Sequence, residues 1–583
     1  MSQEPHSPRK PSQTASTAPV SPVSGAPSVA PVAAERQAPS SPSRRRWLQA
    51  GATAAAATGL GAAAGASAAP PGDRPAGRAP ARSLQAQLER HIQQVVVIYL
   101  ENRSFVNLYA NFPGTLDPLS SLPPERAVQR DRNGQPLATL PKVWGGLVPR
   151  SQSVDGKTYR IAEHQITGLP NAPFVLKDAE GQVLPESVIT RDLWHLFYQN
   201  QMQIHGGRND QFAAWADAGG LVMGHYGDSA QQLGLWKLAQ QYTLCDRFFM
   251  AAFGGSYLNH QFLISGRTPE YFNASQTAAR TRIAVTEDGP QGRRLALAPD
   301  SPASALDGPP KFVRDGAITP DGYAVNTMAP PYQPSYVRPA AGGDPLRADP
   351  AHASVLPPQT YDTIGDLLSR QGVSWAWYGG AWQAALERRS DGDRPNFQYH
   401  HQPFNYFQQF APGTAERAVH LRDGGTGDSP LSNHFLADIV AGRLPAVTFY
   451  KPQGNLNLHA GYSDVASGDQ HVANVIEYLK RSPQWPHMLV VVTFDENGGW
   501  WDPVAPPEGD RWGPGSRVPA LLISPHVKKG HVDHTFYDTT SILRFITRLH
   551  GLPVLEGLAA RDAAFRARGE RPPGDLSAAF SFA

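Results

Sequence analysis

Two stretches of the chain read as strands without a wet face. Gln93–Asn102 is QQVVVIYLEN and Met488–Asn497 is MLVVVTFDEN. A half-exposed strand alternates apolar and polar residues, because successive side chains point to opposite faces. These runs do not alternate, so both faces must be covered, as in parallel strands sandwiched between helices. PAVTFYK and VPALLISP read the same way, and TYDTIGDLLSRQG followed by VSWAWYGG adds a helix-strand unit. RDLWHLFYQNQM, SAQQLGLWKLAQQY, DVASGDQHVANVIEYLKRS and YDTTSILRFITRLHG carry helical spacing. Strands alternating with helices predict an α/β fold with a central, largely parallel sheet flanked by helices.

The rest of the 583 residues arrange around that body. Residues 1–43 are rich in Ser, Pro and Ala and cannot bury enough surface to fold, so they read as a disordered extension. Residues 44–68 begin with Arg44-Arg45, pass through an Ala/Gly run and end at Ala66-Ser67-Ala68, the pattern of a cleaved twin-arginine-type export signal. A linker over 69–83, a folded body over 84–555 and a C-terminal tail over 556–583 follow. Within the body, 267–352 is rich in Pro and Gly and reads as an insertion or cap. It carries a hairpin-like IAVTEDGPQGRRLAL with Asp288-Gly289 at the turn. No later run reaches the ~18 uninterrupted apolar residues of a membrane span. The expected mature protein is therefore exported, periplasmic or secreted, and without a stable transmembrane segment. A net charge of +2, with no Lys/Arg stripe interleaved with aromatics, argues against nucleic acid as a partner. The single cysteine, Cys245, excludes an intrachain disulfide and a cysteine zinc site. In YTLCDRFFM it reads as a buried structural thiol.

Two of the buried runs end in acidic pairs, Glu101-Asn102 and Asp495-Glu496. Ligands of open parallel sheets bind outside the carboxyl ends of the strands, which puts both pairs on one rim. Carboxylates gathered there raise one another's pKa unless a cation intervenes. One divalent metal is the simplest remedy. Carboxylate and amide oxygens favour Ca²⁺, Mg²⁺ or Mn²⁺, with iron or zinc compatible if histidines join. Ser256, in FGGSYLNHQFLISG, lacks the G-x-S-x-G frame of a serine-hydrolase elbow. A metal is an alternative activator of its hydroxyl. Gly254-Gly255 permits close approach, and a helix starting at Ser256 would aim backbone N–H groups at an anion. These features fit attack on a phosphate ester better than attack on an acyl carbon. His260 reads as a packed or hydrogen-bonded residue of the supporting helix, and His534 as a cap or orienter of the last helix.

VVVIYLENRSF, FGGSYLNHQFLISG, HHQPFNYF, HAGYSDVASGDQHV, FDENGGWWDPVAPP and YDTTSILRFI, in this order, resemble the bacterial acid phosphatase and phospholipase C family of the alkaline-phosphatase superfamily. The resemblance runs from about residue 92 to 550. It implies an alkaline-phosphatase-like α/β domain and a single metal. Glu101, Asn102, Ser256, Asp495 and Glu496 would be its ligands. Ser256 would also be the nucleophile, forming a phosphoserine that water hydrolyses. His459 would be a phosphate contact or leaving-group acid. One of His400 and His401 would bind the phosphoryl group, with His205 a weaker candidate for the same pocket. The family often reads Glu-His-Gly-Gly-Phe-Trp-Asp-His where this chain has Glu496-Asn497-Gly498-Gly499-Trp500-Trp501-Asp502-Pro503, so two of its histidines are missing here.

The function expected on these grounds is an exported, metal-dependent acid phosphatase acting on small phosphate monoesters. The alternative is a phospholipase C-type diesterase that takes a lipid head group such as phosphatidylcholine's. Those enzymes commonly carry further C-terminal domains, whereas this chain stops soon after its last motif. A third class, a non-catalytic binder of phosphate ligands, would have no use for Ser256. A sulfatase is disfavoured because no C-x-P-x-R stretch occurs.

Overall fold

The computed structural model describes residues 83–289 and 292–582. The non-alternating runs pair as expected. The main sheet contains β1 (Gln94–Leu100), β2 (Thr243–Cys245), β3 (Trp375–Gly380), β4 (Leu421–Gly425), β5 (Val447–Lys451), β6 (Met488–Phe494), β7 (Ala520–Ile523) and β8 (His531–Asp533). Their spatial order is β4-β3-β5-β1-β6-β7-β2-β8. Only β7 runs against its neighbours in this sheet. Val95 to Leu100 and all of β6 are buried, which explains the missing alternation: helices or loops cover both faces.

The pairing at the centre of the sheet positions the site. β1 lies parallel between β5 and β6, with Ile98 opposite Tyr450 and Leu100 opposite Phe494. The three chains therefore leave the sheet side by side at their carboxyl ends. Three helices carry the elements around that rim. These are α1 (Phe197–Ile204), α2 (Ser256–Ser265) and α3 (Val465–Arg481). All ten residues of α2 are buried, and Gly266, left-handed at φ +64°, ends it. Helix α3 begins at Asp464, whose carboxylate accepts from Ser467 N at 2.7 Å, and ends with Lys480-Arg481 against the helix dipole.

Four expectations change. The helical spacing of RDLWHLFYQNQM is realised only from Phe197 onward, because Arg191 to Leu196 pass the site as an irregular extended segment. Asp288 and Gly289 lie in a strand opposite Arg293 and Gly292, not at the turn of their hairpin. The segment expected as a tail contains α5 (Glu556–Ala567), which follows α4 (Thr540–Leu549). Arg561 of α5 is buried and reaches Asp538 and Asp510, both at 2.9 Å. His534 caps no helix; its Nδ1 lies 2.9 Å from Asp246 Oδ1. The Pro/Gly-rich 267–352 region contains two short 3-10 turns and the hairpin. Asn326 from it accepts from Phe197 N at 3.0 Å, tying this region to the start of α1. Cys245 is buried within β2, and burial pushes its thiol well above the usual range.

The described residues form one compact unit. The residues read from the sequence as an extension (1–43), an export signal (44–68) and a linker (up to 82) lie outside them. No helix among the described residues is long and apolar enough to cross a membrane.

Candidate active site

The register of β1 on β6 brings Glu101-Asn102 beside Asp495-Glu496, all four fully buried. Asn102 adopts a left-handed backbone at φ +62°, a conformation uncommon outside glycine that collects at functional sites. Its N–H donates to Asp495 Oδ1 at 3.1 Å, and Glu496 N donates to the same oxygen at 2.7 Å. Across from them Ser256 opens α2, and its hydroxyl donates to Asn102 Oδ1 at 3.4 Å. Glycines make this approach geometrically accessible. A Cβ on Gly498 would sit 2.3 Å from Asn102 O, and one on Gly255 would sit 2.7 Å from His195 O.

The histidines divide. His401 Nε2 touches Glu101 Oε1, and the His400 ring packs edge-on against His401 at 4.9 Å between centroids. His459 Nδ1 donates to Ala460 O, which turns Nε2 toward Asn102 Nδ2 at 3.1 Å and Glu101 Oε2 at 3.7 Å. The Tyr462 ring stacks on His459 at 4.1 Å, and its hydroxyl donates to Glu101 Oε2 at 3.3 Å. His205 is not brought to this cluster. Its Nδ1 bonds Asp210 Oδ1 at 2.6 Å, and it lines a separate cavity of about 1000 Å³ with Phe197, Met202 and Trp215. His260 is held by its helix, Nδ1 donating to Ser256 O at 2.7 Å, yet its ring stacks on His401 and its Nδ1 lies 3.8 Å from Asp495 Oδ2. It is both a hydrogen-bonded helix residue and a wall of the site.

Three residues join that the motif reading did not single out. His195 Nδ1 donates to Leu193 O at 2.6 Å, which presents Nε2 to Asn102 Nδ2 at 3.3 Å and to Glu496 Oε1 at 4.0 Å. Lys451, the last residue of β5, is fully buried with Nζ 2.6 Å from Glu101 Oε1. Arg103, also buried, donates from Nε and Nη2 to Leu458 O at 3.0 and 2.8 Å. Leu458 is left-handed at φ +74°, so Arg103 clamps a strained residue directly before His459. The sequence signal for Lys451 was available: PAVTFYK ends in a charge as the other two runs do.

The charges explain what the cluster lacks. Burial would raise Glu101, but contact with His401 and Lys451 outweighs it and holds this carboxyl well below the usual range. Burial keeps His401 neutral down to about 4. Asp495 is pushed up to about 7 by burial and by the Glu101 charge, and burial lifts Glu496 well above the ordinary value. Burial would lower His195, but the Glu496 and Asp192 carboxylates lift it to about 9. Asp495 Oδ2 and Glu496 Oε1 are buried without a hydrogen-bond partner. Orphaned carboxylate oxygens of raised pKa are what a cation site looks like to its own residues. Glu101, His260 and Asp495 present ligand atoms within 4.8 Å of one another, as do Glu101, His400 and His401, and Asp192, His195 and His459. Buried His, Glu and Asp clusters able to hold a metal ion are thus present. A cavity of about 630 Å³, lined by Asp192, Trp194, Asn396 and Tyr462 among others, adjoins the cluster through Tyr462 and Asp192.

A family model described as the phosphoesterase family matches residues 92–553, a span that contains every site residue named above. The chain belongs to the phosphoesterase family. Among curated phosphoesterase relatives, phospholipase C B of Mycobacterium tuberculosis is 29% identical over 268 residues, covering 41% of this chain and 47% of that protein. The non-hemolytic phospholipase C of Pseudomonas aeruginosa is 25% identical, covering 38% of this chain and 33% of that protein. Non-specific phospholipase C6 of Arabidopsis thaliana is 32% identical over 149 residues, covering 20% and 28%. The aligned region spans under half the length of each of these relatives. Among solved structures, murine ectonucleotide pyrophosphatase/phosphodiesterase 5 aligns with a TM-score of 0.27 at 9% identity, over 60% of this chain and 94% of that one. An alkaline phosphatase superfamily protein from Vibrio parahaemolyticus aligns with a TM-score of 0.22 at 13% identity, over 35% and 50%.

Proposed function

We propose that this phosphoesterase is a metal-dependent acid phosphatase that hydrolyses small phosphate monoesters through a phosphoserine on Ser256. The observation that carries the reading is the placement of Ser256. Its hydroxyl stands at a helix N-terminus, 3.4 Å from Asn102 Oδ1, in front of carboxylates whose outer oxygens lack partners. Glu101, Asn102, Ser256, Asp495 and Glu496 would hold one divalent cation, with Ca²⁺, Mg²⁺ or Mn²⁺ suited to that oxygen-rich set and iron or zinc compatible with the nearby histidines. When bound, the cation supplies Lewis-acid stabilisation of the phosphoryl oxygens and lowers the pKa of the serine hydroxyl.

The protein's own groups do the rest. The first N–H groups of α2 face the anion. Ser256 Oγ releases its proton to solvent and forms a bond to phosphorus as the bond to the ester oxygen breaks. His459, with His195 beside it at 5.6 Å between ring centroids, contacts the phosphoryl group; burial lowers its pKa, so its Nε2 takes up a proton only in acid and then passes it to the leaving oxygen. His401 and His400 back Glu101 from the other side. Water then cleaves the phosphoserine and restores the hydroxyl.

A second reading, a diesterase acting on a lipid head group, is favoured by the adjoining cavity. Trp194 and Tyr462 offer it aromatic surface and Asp192 a half-exposed carboxylate. The deciding experiment is to assay metal-loaded protein on p-nitrophenyl phosphate, its phosphocholine ester and phosphatidylcholine across acid to alkaline pH, with acid-quenched samples analysed by peptide mass spectrometry. The expected result is fastest turnover of the monoester at acid pH and a phosphate on Ser256. Faster turnover of the choline esters would establish the diesterase reading. Undiminished turnover by Ser256→Ala would refute the nucleophile, and full activity after metal removal would refute the cation.

A further inference from the structure

Lys451 has no part in the reaction steps above, yet it is a fully buried cation inside their carboxylate cluster. Lysine is almost never fully buried unless paired. Its Nζ lies 2.6 Å from Glu101 Oε1 and 5.4 Å from the centre of the Tyr99 ring. The position follows from topology: β5 and β1 are parallel neighbours, with Tyr450 level with Ile98, so the next residue of β5 ends beside the start of the Glu101 loop.

The two oxygens of Glu101 therefore face different surroundings. Oε1 meets Lys451 and His401. Oε2 meets the Tyr462 hydroxyl at 3.3 Å and His459 Nε2 at 3.7 Å. His401, which meets Oε1, belongs to a group of its own: Glu101, His400 and His401 bring potential ligand atoms within 4.8 Å of one another, a geometry that would otherwise suit a second cation. Lysine brings its own positive charge to Oε1. Glu101, Asp495 and Glu496, when ionised, carry three negative charges; Lys451 returns one positive, and a single divalent ion balances the remainder.

We propose that Lys451 is a built-in cation that takes the place of a second metal ion, so that the carboxylate cluster would hold one divalent ion. Lys451 acts through Glu101 and is a positioning residue. The inference rests on the metal reading of this site.

The test is metal stoichiometry. Metal-stripped full-length protein is titrated with Zn²⁺ by calorimetry, and the metal content of the desalted protein is measured by elemental mass spectrometry. Wild type and Lys451→Arg are expected to bind one ion per chain, and Lys451→Met two. Adding His401→Ala to Lys451→Met is expected to return the count to one. Lys451→Gln replaces Lys451→Met if the latter fails to give a cooperative thermal transition. One ion in both wild type and the neutral variants would overturn the inference while leaving the metal reading intact. Two ions in wild type would overturn it as well. No ion in wild type would overturn the metal reading, and this inference with it.

Discussion

Asp495→Asn in metal-free protein isolates the cost of assembling the carboxylates. In the fold this group is pushed up to about 7 by burial and by Glu101, from an ordinary value of 3.8. A carboxylate of raised pKa binds its proton more tightly folded than unfolded, so stability falls as pH rises between those two values and levels off above them. At about 1.4 kcal/mol per pH unit the full loss is about 4 kcal/mol, an upper bound for so buried a group. Asparagine resembles the protonated acid and does not ionise. Its carbonyl can still accept from Asn102 N and Glu496 N, as Oδ1 does. With the protein held in chelator, the variant should therefore match wild type in acid and exceed it by up to about 4 kcal/mol above pH ~7. Unfolding entropy of roughly 2 cal/mol/K per residue over about 500 residues converts this to a Tm gain of about 4 °C. Comparing the two proteins at each pH removes the opposing titration of His401, which burial keeps neutral down to about 4. The assay is scanning calorimetry or fluorimetry in chelator near pH 5 and pH 8, then with divalent metal, where the variant should lose the metal-induced rise seen in wild type. An equal shift at both pH values, or a less stable variant in chelator at alkaline pH, would refute the account of Asp495 as a strained carboxylate awaiting a cation.

Gly498→Ala would place a Cβ 2.3 Å from Asn102 O at φ +62°; displacing that loop should lower kcat on the order of a hundredfold, which steady-state kinetics on p-nitrophenyl phosphate would show. Arg561→Met leaves Asp538 buried without its cationic partner and should destabilise by roughly 3–5 kcal/mol in urea titration, whereas a wild-type midpoint would refute a stabilising role for this ion pair. Arg103→Met frees the left-handed Leu458 and should reduce kcat through His459 more than it raises KM. Cys245, buried with its thiol pushed up, should react with a thiol reagent only in denaturant.

The sheet was legible because its evidence is local: a run without alternation announces a strand covered on both faces, and β1 and β6 are such runs. The acidic pairs followed from where such strands end. The residues that escaped notice depend on contacts between distant segments. His195 sits in a stretch with helical spacing, and nothing within that stretch signals that it stays extended. The signal is elsewhere, in glycines that receive its backbone. Gly255 admits His195 O and Gly499 admits Trp194 O, each where a Cβ would be 2.7 Å away. Each glycine pair thus serves two surfaces, the loop it bends and the 194–195 segment it lets approach. Lys451 poses the opposite problem. A lysine at a strand end ordinarily extends its ammonium to water, and only the adjacency of β5 to β1 turns it inward onto Glu101. A charge at the end of a buried run is then informative whatever its sign. Three central strands end in charged groups, and the two acidic ends would crowd their carboxylates far more severely without the basic one beside Glu101.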